Sequence, residues 1–178
     1  MFPSQRNNLP LQRTQQKSFD FVYIANGEAH KNHFNLLEAW RLLGNMGLNP
    51  SLALTIAPKS YPTLAREIER CAEELGLNIV NLGQLQTAAI FKLYQSSSAL
   101  IFPSLAESFG LPLVEACQHG LPILASERDF VRDTINPIQT FDPKSPVSIA
   151  RAVRRFLGAP EQPHKMSSAD DFLKEIMT

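Results

Sequence analysis

The chain has no excess of either charge. Its 17 lysines and arginines are matched by 17 aspartates and glutamates over 178 residues. This argues against nucleic acid as a partner, because a phosphate backbone selects a basic surface. No apolar run approaches the roughly 20 residues that cross a bilayer. The first 18 residues are polar and rich in glutamine, without the apolar centre of a signal peptide. Cysteine is scarce. Cys71 and Cys117 both fall in helical patterns and read as small buried thiols of a reducing compartment. His30, His33, His119 and His164 have no metal-ligand spacing, and no metal site or metal cofactor is expected. They read as structural or exposed. A nucleophile–histidine arrangement and an internal repeat are also lacking. What remains is a soluble, cytoplasmic chain with at most peripheral membrane contact, and enough length for one domain with a core.

The pattern along the chain alternates. Short apolar runs at 19–25, 52–57, 79–82, 99–102, 122–125 and 138–141 read as strands. Between them lie helical stretches. Leu36, Leu37, Trp40 and Leu43 share one face. Leu64, Ile68, Cys71 and Leu75 share another, ahead of a stop at Gly76. Further helices are expected over 87–95, 111–118 and, as a short turn, 130–134. Ser145 caps another, with Pro146 at its first position. Arg151, Arg154 and Arg155 on that helix read as a solvated face. Residues 1–17 read as a linker or tail, 18–160 as one domain, and 161–178 as an extension with a short helix over 169–177. Strands that are apolar throughout and alternate with helices imply a parallel sheet covered on both faces. Right-handed crossovers then give a doubly wound, Rossmann-like α/β fold. Such sheets bind ligands outside the carboxyl ends of their strands, so the strand-to-helix junctions should carry function.

One junction is rich in chemistry. After the fourth strand run comes PSLAESFGLPLVEA, from Pro103 to Ala116. Gly110 permits a tight entry and a close approach of backbone to ligand. Pro112 suits a first helical turn. Free amides and the positive end of the dipole make a phosphate site there without any side-chain charge. Glu107 precedes the turn and Glu115 follows it, and both can face one cleft. A carboxylate in that place can accept two hydrogen bonds from a cis-diol such as a ribose. Taken alone, two glutamates eight residues apart read rather as a helix-dipole residue at Glu115 and a solvated loop acid at Glu107.

The segment from Glu107 to Ala116, ESFGLPLVEA, resembles the signature of the glycosyl transferases of group 1 (family 4), retaining enzymes of the GT-B fold. The resemblance extends over about 19–157. It implies that Glu107 contacts the donor sugar and that Glu115 holds the ribose. It also brings Ser108 and the backbone amides of Phe109, Gly110 and Leu111 to the sugar and phosphates. Lys31, in the junction Ala25-Asn-Gly-Glu-Ala-His-Lys31-Asn, matches the family's phosphate-binding lysine. The family usually places Gly-Arg where this chain has Ala25-Asn26, so Asn26 brings a hydrogen-bond donor and no charge. Gly83 and Gln84, after the third strand, fall where similar proteins meet the nucleobase; an ordinary turn remains the other reading. The stretch from Ser126 to Asp133 resembles the family's loop after the fifth strand, with Asp133 replacing the usual glutamate.

The implied function is the donor half of a retaining glycosyltransferase. It would move a sugar from a nucleoside-diphosphate sugar to a glycan or glycolipid acceptor, as in polysaccharide biosynthesis. Glu107 and Lys31 are the catalytic candidates. A GT-B enzyme pairs this half with an N-terminal acceptor domain, here expected on a partner chain or a longer polypeptide. The alternative is a nucleotide-sugar-binding module without activity. Other Rossmann-like classes predict an acidic pocket after the first strand or a GxGxxG loop, and this sequence has neither.

Overall fold

The structure is a computed structural model that describes residues 17–159. The expected linker or tail, the helix at 169–177 and His164 lie outside the described residues, apart from Lys17 at the tail's end. Strands β1 (Phe19–Tyr23), β2 (Leu52–Leu54), β3 (Ile79–Asn81), β4 (Ser97–Phe102), β5 (Ile123–Ser126) and β6 (Gln139–Phe141) form one sheet. Helices α1 (His33–Asn45), α2 (Pro62–Glu73), α3 (Thr87–Ser96), α4 (Leu111–Gln118), α5 (Asp129–Arg132) and α6 (Pro146–Phe156) connect and cover it. The sheet order is β3-β2-β1-β4-β5-β6 and every pairing is parallel. Right-handed crossovers put α1 and α2 on one face and α3 and α4 on the other. Helix α6 returns from the β6 edge to pack on α1.

The core follows from the apolar strands. Phe21, Val22, Leu52, Leu54, Leu100 and Ile101 are fully buried. Each such side chain contributes about 1.5–3 kcal/mol. Phe21 meets the edge of Trp40 at 5.5 Å and of Phe156 at 5.4 Å, which ties α1 and α6 to the sheet. The indole of Trp40 donates to Pro50 O at 2.9 Å, so its one polar atom is satisfied. Ser145 caps α6 as its sequence implies, accepting from the Ser148 amide at 3.2 Å.

The departures from the sequence pattern have local causes. β1 and β2 end at Tyr23 and Leu54, short of the apolar runs. Past β2, the side chain of Asn81 replaces a strand partner, accepting from Ile56 N at 2.9 Å and donating to Ile56 O at 3.0 Å. β4 begins two residues before Ala99 because Ser97 leaves α3 directly, bonding back to Leu93 O at 2.7 Å. A short 3-10 turn, Ala29–Lys31, precedes α1. Only Cys71 is buried; Cys117 sits on the solvent side of α4, which corrects the reading of both thiols as buried.

Candidate functional site

β1 has β2 on one side and β4 on the other. Their connections leave in opposite directions, which opens a crevice at the carboxyl ends of β1 and β4. The two junctions richest in candidate residues, 24–32 and 103–110, meet there. They are fastened together. Leu105 N donates to His30 O at 2.8 Å. Asn32, buried and in the left-handed region with φ 63°, sends its amide to Pro103 O at 3.0 Å and to Pro143 O at 2.6 Å. Its oxygen accepts from Asn35 at 2.8 Å. Asparagine tolerates this backbone conformation better than most residues. The amide therefore joins three loops and fixes the position of Lys31 beside it.

Lys31 and Glu107 form a close ion pair. Nζ donates to Oε1 at 2.7 Å and to Oε2 at 2.8 Å, with side chains only 16% and 9% exposed. Ser104, fully buried, donates to Glu107 Oε1 at 2.6 Å. The Tyr23 hydroxyl lies 3.3 Å from Ser104 Oγ and 3.0 Å from Lys31 O. Burial holds that phenol far above the usual tyrosine range, so it remains a neutral donor. His33 stacks on the Tyr23 ring at 4.9 Å. Burial first, and the charge of Lys31 second, push its imidazole down to about 3, so it is neutral at ordinary pH. Neither of its ring nitrogens has a hydrogen-bond partner among the described residues.

Beyond Glu107 the chain turns into α4. Gly110 has φ 58°, and a Cβ there would come within 3.1 Å of Leu113 Cδ1. Among the described residues, the amides of Ser108, Phe109, Gly110 and Leu111 donate to no protein group. With Lys31 and Glu107 they line a cleft of about 640 Å³, a size suited to a small ligand. Free amides at a helix start attract anions. Phe109 stands at the rim, 80% exposed, and Leu111, which lines the same cleft, is exposed as well.

Glu115 opens onto a second cleft, of about 480 Å³, with Asn26, Thr55, Tyr61, Gln84 and Leu85. The two glutamates therefore face adjoining clefts that share Leu111 and Pro112, not one common cleft. Tyr94 donates to Glu115 Oε2 at 3.1 Å and orients it. Burial, with the Glu115 charge behind it, raises the Tyr94 phenol well above its usual range. Asn26 Oδ1 accepts from Glu28 N at 3.3 Å. Gly83 turns the chain beside Gln84 with φ 70° but does not line the cleft. Gly27 packs its face on Tyr61: a Cβ there would lie 2.4 Å from the ring.

The loop after β5 is differently placed. Ser126 is buried and donates to Phe102 O at 3.1 Å, and Asp133 lies in a separate groove beside Arg132. His30 lines the first cleft 3.6 Å from Glu28, and His119 packs near Phe91 and Tyr94. Arg155 on α6 bonds to Gln139 at 2.8 Å. No group of three or more His, Cys, Asp or Glu side chains among the described residues is arranged to hold a metal. No helix among them is long and apolar enough to cross a membrane.

The sequence model of the glycosyl transferases group 1 family matches residues 5–170. The chain belongs to this family. An Escherichia coli serotype-specific mannosyltransferase, WbdA, is 29% identical over 157 residues, covering 88% of this chain and 19% of that protein. A Streptomyces griseus D-inositol 3-phosphate glycosyltransferase is 35% identical over 82 residues, covering 43% of this chain and 17% of the relative. The group 1 domain thus spans about a fifth of the length of these relatives. A Rickettsia africae glycosyltransferase shares the fold at TM-score 0.66 and 19% identity, over 80% of this chain and 39% of its own. Anabaena HepE, solved in complex with UDP and glucose, does so at TM-score 0.64 and 18% identity, over 78% and 39%. The Rossmann-like sheet read from the sequence is the fold of these GT-B neighbours.

Several residues that shape the crevice have no role assigned by the sequence. Tyr23, Ser104 and Tyr94 have no assigned part in the sequence pattern, and Asn32 enters it only as the neighbour of Lys31. Their signal is faint: a polar tip within an otherwise apolar strand or helix face, or a polar residue just past a strand. The partners of Tyr23 and Asn32 lie far along the chain, 81 residues away at Ser104 and 71 at Pro103.

Proposed function

We propose that this domain binds a nucleoside-diphosphate sugar and serves as the donor half of a retaining glycosyltransferase. The observation that carries the reading is the row of free amides from Ser108 to Leu111 beside Lys31 and Glu107, at the crevice where the sheet order reverses. The diphosphate lies on those amides and the Lys31 ammonium. Glu107 meets the sugar. The ribose takes Glu115, and the base lies along Gln84 in the adjoining cleft, near the turn at Gly83. The mannosyltransferase relatives and the UDP and glucose of the HepE neighbour support a hexosyl donor.

In the proposed transfer the bond between the anomeric carbon and the diphosphate oxygen breaks. An acceptor hydroxyl forms its new bond on the same face and gives its proton to the departing phosphate oxygen. Negative charge grows on the leaving phosphate, where fixed amides, the helix dipole and Lys31 stabilise it without reorganisation and without a metal ion. Glu107 orients the sugar. The acceptor, a glycan or glycolipid, is held by a facing acceptor domain, on the same polypeptide or on a partner chain. Exposed Phe109, Leu111, Phe34 and Leu82, each past the carboxyl end of a strand, suit such a neighbour. One feature favours a module that binds without transfer: Asn26 brings no charge to the phosphates and turns its oxygen to Glu28 N.

The test is transfer from a panel of nucleotide sugars to glycan acceptors, by the chain alone and with a candidate acceptor domain added, with product anomers assigned by NMR. Retained configuration, dependent on the added domain, is expected. Robust transfer by this chain alone overturns the half-enzyme reading; binding without transfer in both cases supports the module.

A further inference from the structure

The ion pair at the crevice joins two recognition tasks through one contact. Lys31 Nζ holds both oxygens of Glu107, and the pair is largely withdrawn from solvent. Ser104 is the one other donor to that carboxylate among the described residues. A bare nucleoside diphosphate that draws Lys31 fully onto its phosphates takes it from Glu107, since two of the ammonium's three N–H donors are engaged there. That leaves a shielded carboxylate with one hydroxyl donor, which is unfavourable because breaking a buried pair strands a charge. A sugar attached to the diphosphate changes the balance. Its hydroxyls are donors, and they replace the ammonium at Glu107 as Lys31 turns to the phosphates.

We infer that the Lys31–Glu107 pair couples sugar recognition to diphosphate recognition, so that the site favours the nucleotide sugar over the bare nucleoside diphosphate. The inference rests on the assignment of Lys31 to phosphate and Glu107 to sugar made under Proposed function. It has a consequence for turnover. Once the sugar has gone, Glu107 recovers Lys31, and the pair expels the nucleoside diphosphate left behind.

Calorimetry on the full chain tests this with UDP, GDP and ADP and their glucose and mannose conjugates. Glu107→Gln keeps the shape and removes the charge that competes for Lys31. It is expected to bind the matching nucleoside diphosphate about tenfold more tightly, a change equivalent to roughly 1.4 kcal/mol, and its sugar conjugate more weakly. Glu107→Asp, which keeps the charge and shortens the reach, gives the same signs at smaller size, and melting curves confirm that both variants fold. Opposite signs on the two ligands are the signature; a merely structural role weakens both. If Glu107→Gln leaves nucleoside diphosphate binding unchanged or weaker while Lys31→Ala weakens it, the site assignment stands and the coupling is overturned. If Lys31→Ala changes nothing, or the wild-type chain binds none of these ligands, the assignment itself fails and the coupling with it.

Discussion

Removing Glu115 should separate nucleotide affinity from folding in a predictable way. Its carboxylate faces the second cleft and is oriented by Tyr94 at 3.1 Å. As a ribose clamp it accepts two hydroxyl hydrogen bonds. With water taking over one of these hydroxyls in the open cleft, the loss is that of one hydrogen bond to a charged group, about 1.5–3 kcal/mol, and Glu115→Ala should weaken a nucleoside diphosphate roughly 10- to 150-fold. The stability effect is separate. Tyr94 is buried and loses its acceptor. An orphaned buried hydroxyl costs about 1–3 kcal/mol, and the low end applies because the open cleft admits water. Adding Tyr94→Phe should restore most of that loss without restoring affinity. Titration calorimetry with ribo- and 2′-deoxyribonucleoside diphosphates reads the clamp directly. Wild type should prefer the ribose form, and Glu115→Ala should not distinguish the two. Equal affinity of mutant and wild type, or an undiminished ribose preference in the mutant, refutes the reasoning.

His33 gives a pH prediction. Its pKa falls from an ordinary 6.5 to about 3 on folding, so the unfolded chain binds the proton first and stability declines as pH drops below 6.5 towards 3. Between pH 8 and pH 5 this amounts to about 2 kcal/mol, and urea denaturation of His33→Phe should show a pH slope shallower by that amount. Asn26→Arg should strengthen nucleoside diphosphate binding about two- to fivefold at low salt, the size of an exposed pair worth roughly 0.5–1 kcal/mol, and make it more salt-sensitive. Unchanged affinity at low salt would place the phosphates elsewhere. Gly110→Ala forces a Cβ onto a residue at φ 58° against Leu113, and melting should show a loss of about 1–2 kcal/mol together with weaker donor binding.

The fold was largely legible in the sequence because its signals are local. Helix α4 has the expected bounds, and the Ser145 cap and Pro146 start of α6 stand as read. The strand-to-helix junctions also led to the crevice, since a parallel sheet puts them all at one end. What stayed hidden depends on contacts distant in sequence. The bond from Asn32 to Pro143 spans 111 residues, and that from Lys31 to Glu107 spans 76. Nothing near Lys31 announces that its charge is already engaged. Glu107 and Glu115, eight residues apart across the turn at Gly110, line separate clefts that share Leu111 and Pro112, which their spacing does not reveal. Ser126 resembles a site residue in sequence, yet its hydroxyl is spent on β4.

The central claim is that the free amides at the start of α4 receive the donor's phosphates. Backbone amide NMR of the chain during titration with a nucleoside diphosphate tests it most directly. The account predicts that Ser108, Phe109, Gly110 and Leu111 show the largest amide shifts, followed by Lys31, while amides at the opposite end of the sheet stay still. Saturation of binding with those four amides unmoved would contradict it.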